Sequence, residues 1–340
     1  MPALSLAGHT RSVYHLIAIK GLRPTRHWHR TIMPLPSDPQ LLSLSENIIT
    51  QFGQLFGDHP GHRAVHARGL MLSGTFTPTP TAASISAAPH FARASTPVTA
   101  RFSTSTGIPN IPDTDPNTQP RGLAVRFNLA EHVHTDIIGH STPLFPVSNG
   151  QDFYDLFNAI ANGKAPEFLA AHPAAAKFVQ YPKPFPVSLA TEAYYALHAY
   201  KFTNAQGAVV FGRYSLVPVA GAHYLGDEEV KTQSESFLWD ELPGRIAKAP
   251  VEFKVVLQIA EEGDVTDDIT VQWPEDRKMI ELGIVSLDKM VEENAKEQKK
   301  IIYDPVPRVE GIESAGDPLL EVRASVYLMG GRGRRAAPHA

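Results

Sequence analysis

The sequence contains no cysteine in 340 residues. That excludes disulfides, thiolate ligation of a cofactor, iron–sulfur clusters and cysteine-based zinc sites. The same absence suits a protein that meets oxidants, because thiols are the most readily oxidised side chains. A basic surplus is also missing. The 31 Lys and Arg stand against 35 Asp and Glu, a formal net charge of -4, which argues against a nucleic-acid partner. No apolar run approaches the roughly 20 residues that a membrane span needs. There is no internal repeat and no glycine-rich phosphate loop. Residues 1–37 lack Asp and Glu altogether while carrying several Arg and His. Such a start resembles an organelle transit segment and reads equally well as an extension or an arm laid on the core. Its apolar patch, Tyr14 to Ile19, is shorter than a typical secretory signal core. A cytoplasmic location is favoured, with organelle targeting by residues 1–37 as the other reading.

What is present is ordinary for a globular chain: 43% hydrophobic and 19% charged residues, enough for one large domain or two modest ones. The 29 prolines, many in segments such as Phe76 to Pro80 and Tyr181 to Pro186, predict long irregular connections. From Asp38 the apolar residues Leu41, Leu44, Ile48, Phe52 and Leu55 recur at helical spacing, and Gly57 with Pro60 ends the run. Strand-like runs follow at Leu70–Phe76, Val98–Ser103 and Gly122–Leu129, then at Ala199–Thr203, Ala208–Pro218, Val251–Ile259 and Ile269–Trp273. Residues 151–178 read as helical, and Ser286 to Lys300 as a polar, solvated helix. A last helix starts with Asp317 as N-cap and Pro318 at its first position, and Gly330-Gly331 signals its stop. Strands spread through the sequence with few intervening helices predict an α+β fold, an antiparallel β-barrel core with surrounding helices.

Arg323 and Tyr327 are four apart on that last helix and share a face. A neutral phenol is a poor iron ligand, but Fe(III) and a guanidinium beside the oxygen favour the phenolate. An Arg–x–x–x–Tyr pair facing a haem therefore has a physical purpose. Taken alone, it equally describes a packed tyrosine beside a surface arginine. His66 lies between a helix and a strand-like run; over an open iron position, a histidine can take a proton from one peroxide oxygen and return it to the other. With 15 histidines in the chain, a structural role fits any one of them as well. Ser103 is suited to fix the His66 tautomer. Arg63 and Arg101 suit carboxylates, such as haem propionates, as readily as solvent. Phe153 and Phe157 suit a macrocycle or plain core.

Taken together, these residues resemble the haem catalases. Arg63-Ala64-Val65-His66-Ala67-Arg68-Gly69 is similar to the family's distal motif, Pro97-Val98-Thr99-Ala100-Arg101-Phe102-Ser103 to its Pro-Val-x-x-Arg-Phe-Ser strand, and Arg121-Gly122-Leu123-Ala124-Val125-Arg126-Phe127 to its Arg-Gly-x-Ala-Val-x-Phe strand. Tyr303-Asp304-Pro305, Gly311-Ile312-Glu313 and Asp317 to Tyr327 resemble the proximal region in order. The likeness runs from about residue 50 to 332. The resemblance implies a catalase-like haem-binding core over 38–332, between an N-terminal extension (1–37) and a basic tail (333–340).

The resemblance gives His66 the distal acid–base role, with Ser103 orienting it. Arg63, Val65, Arg101, Phe153, Arg323 and Tyr327 are expected to bind haem b (iron protoporphyrin IX), with Tyr327 on the iron and Asp317 supporting Arg323. The implied activity is that of a haem-dependent peroxidase with catalase activity, which reduces hydrogen peroxide and small organic hydroperoxides through a ferryl porphyrin radical at the expense of a small reducing substrate. A homo-oligomer is compatible with it. Catalases carry Asn before Thr-Pro in the distal loop; here Gly139-His140-Ser141-Thr142-Pro143 puts Ser141 at that place. That wording, with Phe145-Pro146-Val147, is closer to the short catalase-related peroxidases, and weaker disproportionation of hydrogen peroxide is expected. The family's later helical region is absent, so NADPH binding is not expected. A branch converting fatty-acid hydroperoxides to allene oxides has Thr before the distal His, where this chain has Val65. That branch stays as one alternative, and a non-catalytic haem- or lipid-binding barrel as another.

Overall fold

The computed structural model describes residues 35–338, so the expectations for residues 1–37 lie, all but the last three positions, outside the described residues. Helix α1 (Pro39–Phe56) leads to strand β1 (Gly69–Pro78), short helices α2 (Ala82–Ile85) and α3 (Pro89–Ala92), and strands β2 (Thr96–Ser103), β3 (Gly122–Ala130) and β4 (Val133–His140). Three helices follow, α4 (Gly150–Ala161), α5 (Ala165–Ala171) and α6 (Pro173–Gln180), then strands β5 (Tyr194–Thr203) and β6 (Val209–Pro218). The chain continues through α7 (Asp227–Lys231), α8 (Phe237–Ile246), β7 (Val251–Ile259), β8 (Met279–Met290), α9 (Asn294–Lys300), β9 (Ile312–Ser314) and α10 (Pro318–Ala336).

Strands β1 to β8 form one antiparallel barrel in the order β4-β3-β2-β1-β8-β7-β6-β5, closed by the pairing of His140 on β4 with Tyr195 on β5, and β9 adds to the free edge of β5. The barrel follows from period-two patterning. Along β7, for example, Val251, Phe253, Val255 and Leu257 alternate inward. Phe76, Phe102, Phe127, Tyr194, Phe202 and Phe253 fill the interior. A second apolar cluster joins α1, α4 and α10 through Ile48, Phe52, Leu319 and Val322, with Phe153 and Phe157 packed against it. Asp38 and Asp317 cap α1 and α10, accepting from the backbone N–H of Gln40 and Leu319.

Several local expectations are corrected. Ser286 to Met290 is the end of β8, because Ser286 is paired on both sides, to Thr75 and Glu252, and Val285 and Leu287 point into the barrel; only Asn294–Lys300 is helical. Ile269–Trp273 is not a strand: the Trp273 indole donates to the Val265 carbonyl at 2.7 Å and Ile269 joins the helical cluster. Residues 151–178 break into three helices at Asn162-Gly163 and at His172-Pro173. Helix α10 runs past the expected stop, so the basic stretch from residue 333 is helical through Ala336. Gly331 is there for a close approach, since a Cβ on it would lie 2.4 Å from the Ile302 side chain.

Candidate active site

A cavity lies between the rim formed by β2, β3 and β4 and the layer formed by α1 and α10. His66 enters it from the segment after α1. Its backbone sits in the left-handed region at φ 58°, a conformation that costs energy for a non-glycine residue and persists only where the surroundings enforce it. Here the His66 N–H donates to the Ser105 carbonyl at 3.1 Å, while the Arg101 guanidinium donates to the His66 carbonyl at 2.9 Å. The His66 Nδ1 lies 3.0 Å from Ser103 Oγ. Gly122 leaves room for that contact: a Cβ there would lie 2.6 Å from Ser103 Oγ and 3.2 Å from His66 Nδ1. Burial, with the guanidiniums of Arg101, Arg323 and Arg63 around it, pushes the imidazole down to about 3. The ring is therefore neutral at physiological pH and free to accept a proton.

Helix α10 supplies the second wall. Arg323 donates to Tyr327 Oη at 2.9 Å. Burial opposes the Arg323 charge, yet Tyr327, Tyr200 and Asp317 hold the guanidinium above its ordinary value. Asp317 does not bond Arg323 directly. One of its oxygens accepts from the Leu319 N–H, the other from the buried His198 at 2.8 Å, so it supports Arg323 through charge alone.

A third feature is the basic lining. Arg63 donates to the carbonyls of Gln298 and Ile301, Arg101 to the Gln298 amide oxygen, and Arg334 to the carbonyls of Lys299 and Ile301. None of the lining residues is an Asp or Glu. Burial lowers Arg63 to about 10 and, helped by the Arg63 charge, Arg334 to about 9. Desolvation and Arg63 likewise push Arg101 down. Buried cations without an anion are costly, and Arg recognises carboxylates in particular. Between these guanidiniums the walls are apolar, with Phe52, Val65 and Val326 among them. Buried guanidiniums set in apolar walls thus fit a largely apolar group that carries carboxylates. Among the described residues, no group of three or more His, Asp or Glu is placed to hold a bare metal ion.

His66, Ser103, Arg63, Val65, Arg101, Arg323 and Tyr327 are brought together on this one cavity. Phe153 is not. The apolar stripe of α4 faces α1, so Phe153 packs behind Phe52, ring centroids 6.1 Å apart, and Phe52 forms the wall. Ser141 also stays off the cavity, because its hydroxyl accepts from the Arg121 N–H at 2.9 Å; the adjacent His140 lines it instead. Sequence reasoning missed His140, Arg334 and Gly122. For Arg334 the signal was available, since it stands eleven residues after Arg323, three helical turns along the same face.

A family model described as Catalase matches residues 49–339. The catalase-related peroxidase of Mycolicibacterium paratuberculosis is 34% identical over 279 residues, which cover 80% of this chain and 88% of that protein. The catalase-related peroxidase of Synechococcus elongatus is 32% identical over 296 residues, covering 84% and 86%. Among solved structures, a bacterial catalase superposes with a TM-score of 0.73 at 24% identity, over 92% of this chain and 64% of that one. A fungal catalase gives 0.72 at 22% identity, over 85% and 62%. This chain thus spans under two thirds of either larger catalase. With a family match across most of its length and relatives above 30% identity, the chain belongs to the catalase family.

Proposed function

We propose that this chain is a haem-dependent peroxidase with catalase activity, reducing hydrogen peroxide and small organic hydroperoxides in the cavity between the barrel rim and α10. The observation that carries the reading is one cavity with a neutral, serine-anchored imidazole on one wall, an arginine-bonded phenol on another, and buried guanidiniums without a carboxylate. Tyr327 would ligate the iron, and Arg63, Arg101 and Arg334 would meet the propionates. Haem b, when bound, would supply the redox chemistry with peroxide.

The residues around it have separate tasks. His66 accepts the proton of one peroxide oxygen at Nε2 and delivers it to the other, so that the departing oxygen leaves as water rather than hydroxide. Ser103 holds Nδ1 and keeps Nε2 aimed into the cavity. Arg323 balances negative charge on the Tyr327 oxygen. The apolar wall of Phe52, Val65 and Val326 keeps bulk water away from the reacting oxygens.

The test is reconstitution with haem, a visible spectrum, and oxygen evolution from hydrogen peroxide. A phenolate-type ferric spectrum that Tyr327→Phe abolishes, with turnover that His66→Ala abolishes while haem stays bound, is the expected result. A protein that stays colourless, or a spectrum showing nitrogen as the axial donor, overturns the reading.

A further inference from the structure

A second, polar pocket lies on the outside of the barrel, and nothing in the mechanism above uses it. Along β3, Val125, Phe127 and Leu129 belong to the barrel core, so Ala124, Arg126 and Asn128 lie on the outer face. Their partners on β4 are Ile138, Asp136 and His134. Ala124 and Ile138 line the active-site cavity. Two residues further along β3, about 7 Å, comes the Arg126–Asp136 ion pair. Beyond it Asn128 and His134 line the second pocket, together with Arg126, His132, Ile302 and Arg335. The wall between the two spaces is a single stretch of chain. Ile302 borders both, Arg126 donates to its carbonyl, and the ring of Tyr303, which lines the cavity, lies 5.2 Å from the Arg126 guanidinium.

The groups in this pocket suit a small anion that carries a hydroxyl. Among the described residues, none of its lining is Asp or Glu. The carboxylates close by in the chain are engaged: Asp136 accepts from Arg126 at 2.9 and 2.7 Å, and Glu131 faces His132 at 3.5 Å. Arg335 has no carboxylate partner among the described residues and donates to the Lys300 carbonyl alone. Burial, and then the Arg126 charge, push its guanidinium down, as for a cation that lacks its anion. His134 Nδ1 lies 3.2 Å from Asp136 Oδ1. Against burial, Arg126 holds the Asp136 carboxyl down to about 2, so it is ionised and can only accept. The neutral His134 ring therefore carries its proton on Nδ1. Its Nε2, which bonds nothing among the described residues, is left to accept.

We propose that this outer pocket binds the reducing substrate, a small monoanion with an oxidisable O–H such as an enediolate, with Arg335 on its anionic oxygen and His134 Nε2 on its hydroxyl. This rests on the peroxidase reading, which needs an electron donor besides peroxide. Each donor molecule gives one electron across the Arg126–Tyr303 layer to the cavity and its hydroxyl proton to His134 Nε2, and leaves as a radical. Two donors thus supply the two electrons and two protons that turn one hydrogen peroxide into two waters. A donor held outside the cavity leaves the space beside His66 to peroxide alone. A neutral donor gains nothing from Arg335, so the pocket selects for charge.

Two measurements test this, with ascorbate as the anionic probe and hydroquinone as the neutral one. In the full chain loaded with diamagnetic zinc protoporphyrin and 15N-labelled at histidine, ascorbate should shift the His134 ring resonances, and the shift should be lost in Arg335→Ala. In the haem-loaded chain, Arg335→Ala should raise KM for ascorbate by about tenfold, as for loss of one charge-assisted hydrogen bond. KM for hydroquinone and oxygen evolution from hydrogen peroxide should stay unchanged. Asn128→Asp, which keeps the shape of the pocket and adds a negative charge, should raise KM for ascorbate in the same way and carries the test should the alanine variant not hold haem. An unchanged ascorbate KM in both variants, an equal loss toward hydroquinone, or no response of His134 to ascorbate overturns the proposal. A haem-loaded wild type inert to peroxide overturns the functional reading instead, and the binding measurement, which needs no turnover, tells the two failures apart.

Discussion

Arg63 and Arg334 donate to the same backbone oxygen, the Ile301 carbonyl, from opposite ends of the chain, at 3.2 and 2.6 Å. Two guanidiniums meet on one acceptor in a cavity whose lining contains no carboxylate. The arrangement costs stability until an anion arrives.

Arg334→Ala is therefore expected to act in opposite directions on the two forms of the protein. Haem transfer to an acceptor such as apomyoglobin should accelerate about tenfold, as for loss of one charge-assisted hydrogen bond. The empty protein should unfold at the same or higher urea concentration, because a buried unpaired charge is gone. Haem dimethyl ester, which lacks the propionate charges, should bind the wild type more weakly than haem does. Equal retention of haem and its ester would remove the guanidiniums from the binding role.

Ser103→Ala should leave haem bound and slow peroxide turnover by about tenfold, since one hydrogen bond fixes the His66 tautomer. Gly122→Ala should reproduce much of that loss by pushing the Ser103 hydroxyl away. Steady-state oxygen evolution checks both, with the Soret band reporting that the site is still loaded.

Stability should fall as the solution is acidified. Burial first, and neighbouring guanidiniums second, hold His66, His90 and His140 down to about 3, and burial holds His198 down to about 4. In the unfolded chain these rings titrate near their ordinary value of about 6.5. Between about 6.5 and 4 the unfolded state therefore binds more protons than the folded state, so unfolding free energy rises with pH across that window and is lost as pH falls. Urea midpoints at closely spaced pH values measure the slope. His90→Leu, which replaces an imidazole packed against Phe76, Phe91 and Phe127, should flatten the slope by about one proton.

Gly331→Ala sets two effects against each other. Helix propensity favours alanine by about 1 kcal/mol. The new methyl would meet the buried Ile302 side chain at 2.4 Å, and overpacking of that kind costs about 1–3 kcal/mol. The steric cost is expected to win, giving net destabilisation in urea and looser haem retention.

The barrel was legible wherever strands alternate cleanly, as in β7, where the strand-like run and the observed strand share both ends. Strand β4 went unrecognised because His134, Asp136 and His140 interrupt its apolar pattern; Asp136 is buried in an ion pair with Arg126, which sequence alone does not reveal. The first third of the supposed helix from Ser286, Ser286 to Met290, shows a similar override, strand partners on both sides outweighing a polar composition. Most of the site was readable because motif residues keep their spacing. His140 was not, since which of two adjacent residues at a strand end faces a cavity depends on register, and register is set by the partner strands.

Helix α10 carries Arg323, Tyr327, Gly331 and Arg334 on its cavity side, whereas His66 and Ser103 lie more than two hundred residues earlier. On a ribosome, the barrel rim emerges long before its lid. Until α10 is released and docks, the growing polypeptide has only one side of this cavity in place, so on the proposed reading capture of the prosthetic group would wait for residues 318–336 to leave the ribosome.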